Sequence, residues 1–400
     1  MRVVDDTDDT HTSFGPRGDQ TSIRMCLMRG GTSRGPFFRG SDLPSDPEIR
    51  DRVLLSVMGS PHPLQVDGVG GGHSLTSKAG IVSCSPAPEV DLDFEFAQLQ
   101  PDASTVQTTA NCGNMLAAVV PFAVEAGLIV PDSDSTEVTV RTTNTGLIAT
   151  ITVQTPKLSA DGPRTVSYDG CTTIDGVSGS SSPVSILFVN TAGSIAPGLL
   201  PTGNRLDSLS LPNGDRIGAT MIDNGQPLVL LRAHDLGLTG AEDLSDLTAD
   251  SALADTLEHL RLSSAHMMGL GDVTDKNYPK MTLLAPPAQG GAIATRSFIP
   301  HTVHRSIGVL AALTVATASC MAGTVAFSLA DPGDGESRTL EIEHPTGAFP
   351  VDLQILDNRV CRSGLTRTAR LIMDGQVFVP KSVWAPVSAE SATHKEGTQN

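Results

Sequence analysis

Two residues of this chain combine a reactive side chain with a setting that could use it. Cys112 stands in the stretch over residues 107–127, QTTANCGNMLAAVVPFAVEAG. Asn111 reads as an N-cap, and the apolar run over 115–124 is too continuous for a solvent-facing helix, so it predicts a buried central helix. Pro121 predicts a kink about its own position, beyond the first turn. A thiol in that first turn faces backbone N–H groups without intrahelical partners, which favour an anion there, thiolate or substrate carboxylate. Cys112 also reads as a buried structural thiol, a common fate of free cysteine. Lys78 enters the apolar stretch Ala79, Gly80, Ile81, Val82, where an ammonium loses hydration and its proton affinity is expected to fall towards the working range of a general base. A lysine so placed also commonly snorkels to solvent.

Groups that could hold a substrate lie in two places. The turn over 28–35 brings together Arg29, Thr32 and Ser33, which suit a carboxylate, although the same composition makes an ordinary hairpin turn. Asn111 and Gly113 at one apolar helix, and Arg296, Arg305 and Ser306 ahead of another over 309–327, complete the set; each arginine also reads as a structural or surface charge. The stretch SLTSKAG over 74–80 lacks the glycine before lysine that a phosphate-cradling loop requires, which excludes a nucleotide site. His301 and His304 have no third ligand nearby in sequence, so no metal is expected.

A formal net charge of −17 over 400 residues leaves no basic excess for nucleic acid or an anionic membrane surface, so an anionic small molecule must be held locally. The six cysteines include no CxxC pair, which points to a reducing cytoplasm. The apolar run over 309–327 carries Thr314, Thr317, Ser319 and Gly323 and reads as a second buried helix rather than a membrane span.

The elements that must position these residues are those of a turn-rich α+β protein. Strands are expected over 21–27, 79–82, 136–153 with a turn at 144–146, 182–189, 221–232 with a turn at 223–227, 280–284 and 292–298. Asp46 and Pro47 open a short amphipathic helix, and 254–262 reads as a solvent-facing one. The second half repeats the logic of the first. Laying Ala117 and Ala118 over Ala311 and Ala312 sets Cys112 opposite Ser306 and predicts two similar domains whose central helices point their N-termini at one cleft.

Several segments together resemble the PrpF-type isomerases of the diaminopimelate-epimerase superfamily. They are MRGGTSRGPFF (28–38), RDRVLLSVMGSP (50–61), DGVGGGHSLTSKAGIV (67–82) and NCGN (111–114), then LLPTGN (199–204), IDNGQP (222–227), PKMTLLAPP (279–287), TRSFIPHTVHRSIGV (295–309) and EHPTG (343–347). The resemblance implies two similar domains, each a β-barrel-like sheet around one helix. The boundaries expected are a disordered leader over 1–20, domains over 21–195 and 196–370, a strand over 371–385 returning to the first domain, and a disordered tail over 386–400. It implies no cofactor and a small unsaturated di- or tricarboxylate as substrate; a homodimer is compatible with it. The activity implied is a 1,3-allylic proton shift in 4-oxalomesaconate, in gallate or protocatechuate degradation. Isomerisation of aconitate or methylaconitate, and carboxylate binding without catalysis, are the alternatives. Superfamily epimerases resemble two-thiol enzymes, whereas this chain has Ser306 at the second place, so the Lys78 and Cys112 pair implied by the PrpF-type pattern replaces the two thiols.

Overall fold

The computed structural model describes residues 18–386 except 110, 190, 300, 301 and 358. Most of the expected leader and tail, and His301, lie outside the described residues. The chain opens with β1 (Gln20–Gly30) and β2 (Ser33–Arg39), a hairpin turned at Gly31 and Thr32. α1 (Pro47–Met58) follows, with the Asp46 carboxylate accepting the Ile49 N–H at 2.9 Å and proline at the first position, where its missing N–H costs nothing. β3 (Lys78–Cys84) runs parallel to β2, β4 (Leu92–Leu99) runs antiparallel to β3, and β5 (Val106–Gln107) pairs with β4. After α2 (Gly113–Leu116) and α3 (Val119–Glu125), β6 (Ser135–Thr142) lies parallel to β4, and β7 (Ile148–Gln154) and β8 (Pro183–Val189) extend the sheet antiparallel.

The second half adds β9 (Asp207–Ser210), β10 (Arg216–Asp223), β11 (Pro227–Arg232), α4 (Leu244–Ala249), α5 (Ser251–Met267), β12 (Lys280–Ala285), β13 (Ile293–Ile299) and β14 (Thr302–Val303). It ends with α6 (Val309–Ser319), β15 (Ser337–His344), β16 (Gly347–Leu356) and β17 (Arg359–Pro380). Its pairings repeat those of the first half. β10 and β11 form a hairpin, β12 is parallel to β11, β13 antiparallel to β12, and β15 parallel to β13. These match β1 with β2, β3, β4 and β6 in order. β17 then pairs in turn with β16, β8 and, from Ala369 to Pro380, β1.

The core follows from two kinds of apolar pattern. Alternating strands such as β6 and β7 turn Val138, Val140, Ala149, Ile151 and Val153 inward. The two continuous apolar runs become α2, α3 and α6, and both pack into one buried cluster. The hydroxyls of α6 are satisfied inside it: Thr314 donates to Leu310 O, Thr317 to Leu313 O and Ser319 to Val315 O. No helix among the described residues is long and apolar enough to cross a membrane.

Three expectations are corrected. The first central helix breaks at Ala117 and Ala118, not about Pro121. The proline ring collides with the carbonyl four residues earlier and offers it no N–H, and that carbonyl belongs to Ala117. Pro121 itself sits in the first turn of α3, where a missing donor is harmless. The N-cap of α2 is Cys112 rather than Asn111. The helix expected to face solvent is α5, which buries Leu253, Leu257 and Leu260, spaced i, i+4, i+7, against the second half's sheet.

Candidate active site

The two central helices meet head to head. A methyl group on Gly113, the first residue of α2, would stand 2.9 Å from Cγ2 of Val309, the first residue of α6. The residues ahead of each helix therefore line one cleft of about 250 Å³, formed by Asn111, Cys112 and Gly113 on one side and Lys280, Gly308 and Val309 on the other. Gly308 is the N-cap of α6 and Cys112 that of α2, so the caps match Cys112 with Gly308. Counted from the caps rather than from the alanine pairs, the counterpart of Cys112 is Gly308, two residues beyond Ser306.

A second, more polar cavity of about 770 Å³ shares Asn114, Gly308 and Val309 with the first. It is lined by Thr32, Asp175, His304, Ser306, His344 and Arg367, among others. Ser306 Oγ lies 3.2 Å from His344 Nε2, and the Ser306 N–H donates to His304 Nδ1 at 2.9 Å. Burial lowers the affinity of both imidazoles for a proton, and Lys280 adds to the effect at His304. Burial likewise lowers the pKa of Lys280.

The hairpin turn is fastened to α2: Asn114 Nδ2 donates to Thr32 Oγ1 at 2.9 Å. Thr32 thus reaches the polar cavity, whereas Ser33 is buried with its hydroxyl unpartnered and lines neither cavity. Arg29 is turned onto the chain itself, donating to Gly31 O at 3.1 Å and to Thr368 O at 3.0 Å. Its guanidinium holds the hairpin to β17. Arg296 donates to Thr295 O at 3.0 Å and to Glu242 O at 3.4 Å, facing the acidic segment ahead of α4. Arg305 is exposed and lines a separate groove with α4. None of these three arginines lines the cleft or the cavity.

Lys78, 7% exposed, donates from Nζ to Gln98 Oε1 at 2.5 Å, with the ammonium 4.9 Å from the centre of the Phe96 ring. It is not among the residues lining the cleft with Cys112. Two links tie it to that site. Gly35 fits between them, since a methyl there would lie 1.9 Å from Lys78 O and 3.2 Å from Met115 Cε of α2. Gln98 also pairs across the ladder with Gln107, where the loop carrying Cys112 begins.

Sequence reasoning missed Lys280, His304, His344, Asn114, Asp175 and Arg367 as lining residues. Four of them lie inside the motifs PKMTLLAPP, TRSFIPHTVHRSIGV, EHPTG and NCGN, so the motifs were the available signal. Among the described residues no group of three or more His, Cys, Asp or Glu is placed to hold a metal ion.

Two halves of like strand topology, each packed on a central helix, with the helix N-termini meeting over a thiol, define the epimerase-like class of isomerase. The sequence profile described as PrpF protein matches residues 20–380, and the chain belongs to that family. It is 47% identical to 4-oxalomesaconate tautomerase of Pseudomonas putida, over 91% of this chain and 98% of the relative. It is also 47% identical to (4E)-oxalomesaconate Delta-isomerase of a Novosphingobium species, over 91% of this chain and all of the relative. The crystal structure of methylitaconate-delta-isomerase superposes with a TM-score of 0.82 at 31% identity, covering 93% of this chain and 99% of that one.

Proposed function

We propose that this protein is a 4-oxalomesaconate tautomerase, moving a proton between the ends of an allylic system in an unsaturated tricarboxylate. The observation that carries the reading is the thiol of Cys112 in the cleft between two helix N-termini, in a chain 47% identical along 91% of its length to relatives named for that substrate. The reaction needs a group to remove a proton beside an acidifying carbonyl and a group to return one at the far end. Cys112 and Lys78 are the pair assigned to these roles. Lys78, as the free amine, takes up the proton after swinging off Gln98, and the Cys112 thiol gives a different proton to the far end, with the first turn of α6 stabilising the dienolate. Thr32 and Ser306 hold carboxylates from the polar cavity. The cleft and cavity together are of the size that encloses a small ligand.

The experiment is to mix the protein separately with 4-oxalomesaconate and with cis-aconitate and follow the ultraviolet absorbance of each. Rapid change with oxalomesaconate and little with cis-aconitate is expected. Turnover of cis-aconitate alone would transfer the assignment to an aconitate isomerase, and turnover of neither would leave a carboxylate-binding protein.

A further inference from the structure

Lys280 stands out because its chemistry and its surroundings disagree. The protein carries a formal net charge of −17, yet among the described residues the only charged side chain lining the cleft beside Cys112 is this cation. No carboxylate lines that cleft with it; the other polar side chains there are Asn111, Cys112, Asn114, Thr142 and Gln226. Its Nζ lies 4.0 Å from where a β-carbon on Gly308 would stand, at the start of α6. Gly308 also offers no side chain to cap the first turn of that helix. A half-buried ammonium that lines a cleft without a carboxylate is placed to pair with an incoming anion.

The repeated topology gives Lys280 a second meaning. It is the first residue of β12, the third sheet strand of its repeat and parallel to the second. Lys78 is the first residue of β3, which has the same place in the first repeat. The two lysines are thus counterparts, and only the second lines the cleft with the thiol.

We propose that Lys280 is the carboxylate-binding residue of the cleft, anchoring the substrate carboxylate nearest the carbon that exchanges a proton with Cys112. The inference rests on the reading that the cleft takes an unsaturated polycarboxylate. Burial lowers the proton affinity of Lys280, and a carboxylate bound beside it favours the charged form. The division of labour follows: Lys280 and the start of α6 fix one end of the substrate, and the first repeat supplies the proton chemistry.

The test uses alkylation, so that it does not depend on knowing the substrate. Full-length protein is treated with iodoacetate or iodoacetamide, and modification of Cys112 is followed by mass spectrometry of its peptide. The exposed Cys84, Cys171 and Cys361 serve as internal references. A cation beside the thiol steers the anionic reagent, so the iodoacetate-to-iodoacetamide rate ratio at Cys112 should exceed that at the references by about tenfold or more. Lys280→Met should abolish this excess and Lys280→Arg should keep it. Gly308→Asp should also abolish it, by supplying an internal carboxylate. Its backbone, at φ −67° and ψ 146°, already suits an aspartate N-cap, so this variant remains folded if Lys280→Met does not. An unchanged ratio in the folded variants, or no excess in the parent protein, would overturn the proposal. An excess in a protein inactive on oxalomesaconate would uphold the anchor and refute the substrate reading alone.

Discussion

The contact between Gly113 and Val309 can be tested by adding one methyl group. Gly113→Ala places that methyl 2.9 Å from Val309 Cγ2 and 3.4 Å from both Cβ and Cγ1 of the same side chain. Carbon atoms pack best at about 3.5–4.0 Å, so the helix starts must separate by roughly half an ångström or more. Overpacking of this kind costs about 1–3 kcal/mol, and replacing glycine by alanine in a helix returns at most about 1 kcal/mol. The expected net destabilisation is about 0.5–2 kcal/mol by urea unfolding. Because the same contact sets the width of the cleft, kcat/KM should fall by about tenfold, within the range that sub-ångström misplacement produces. All three of the nearest atoms belong to Val309, so Val309→Ala should relieve the clash. The double variant should be more stable than the sum of the single effects by about 1–2 kcal/mol. Gly113→Ala with parental stability and kcat/KM, or a loss that Val309→Ala leaves untouched, would refute the head-to-head packing.

Other outcomes follow from the same geometry. Lys78→Met should abolish turnover while the unfolding midpoint stays near that of the parent, and an active variant would remove Lys78 from the mechanism. Product formed in D₂O and read early by proton NMR should carry deuterium at the newly protonated carbon, because the proposed mechanism uses separate groups to take and to give a proton; fully protiated product would mean transfer by a single base. Arg261 is fully buried and donates to Glu258 and to the carbonyls of Val273, Lys276 and Tyr278, so Arg261→Leu should destabilise the fold by about 3–5 kcal/mol in a denaturant titration. For His304 and His344 the folded-state pKa lies below the ordinary value of 6.5 because burial opposes the charge. The unfolded chain then binds more protons in that window, so their stabilising contribution is full above about pH 6.5 and is lost as the pH falls through the folded values. The urea midpoint should therefore drop from about pH 7 to about pH 5, and replacing both histidines by glutamine should flatten that drop.

The sequence revealed element types better than it revealed directions. Two uninterrupted apolar runs could only be buried helices, and the alternation in β6 and β7 could only face a core on one side. The break at Ala117 depended on which carbonyl Pro121 would strike, a relation four residues removed from the visible signal. Arg29 and Arg296 had the right type for binding carboxylates, but the chain's own carbonyls claim their donors, and a linear sequence does not show which way a guanidinium turns. Lys280 went unnoticed for the converse reason. A lysine heading an apolar strand resembles many that reach solvent, and only the packing of α6 against α2 closes the space around this one.

The path of β17 bears on how the protein is made. β1 leaves the ribosome well before its long antiparallel partner, the stretch from Ala369 to Pro380. Until then β1 has only β2 beside it, and Arg29 lacks the Thr368 carbonyl that receives its guanidinium. The half of the molecule that carries Cys112 therefore waits until the second half has been made before β1 is covered on both sides. A chain stopped ahead of residue 369 would lose more than β17, since it would leave β1 with an open edge ready to pair with another nascent copy.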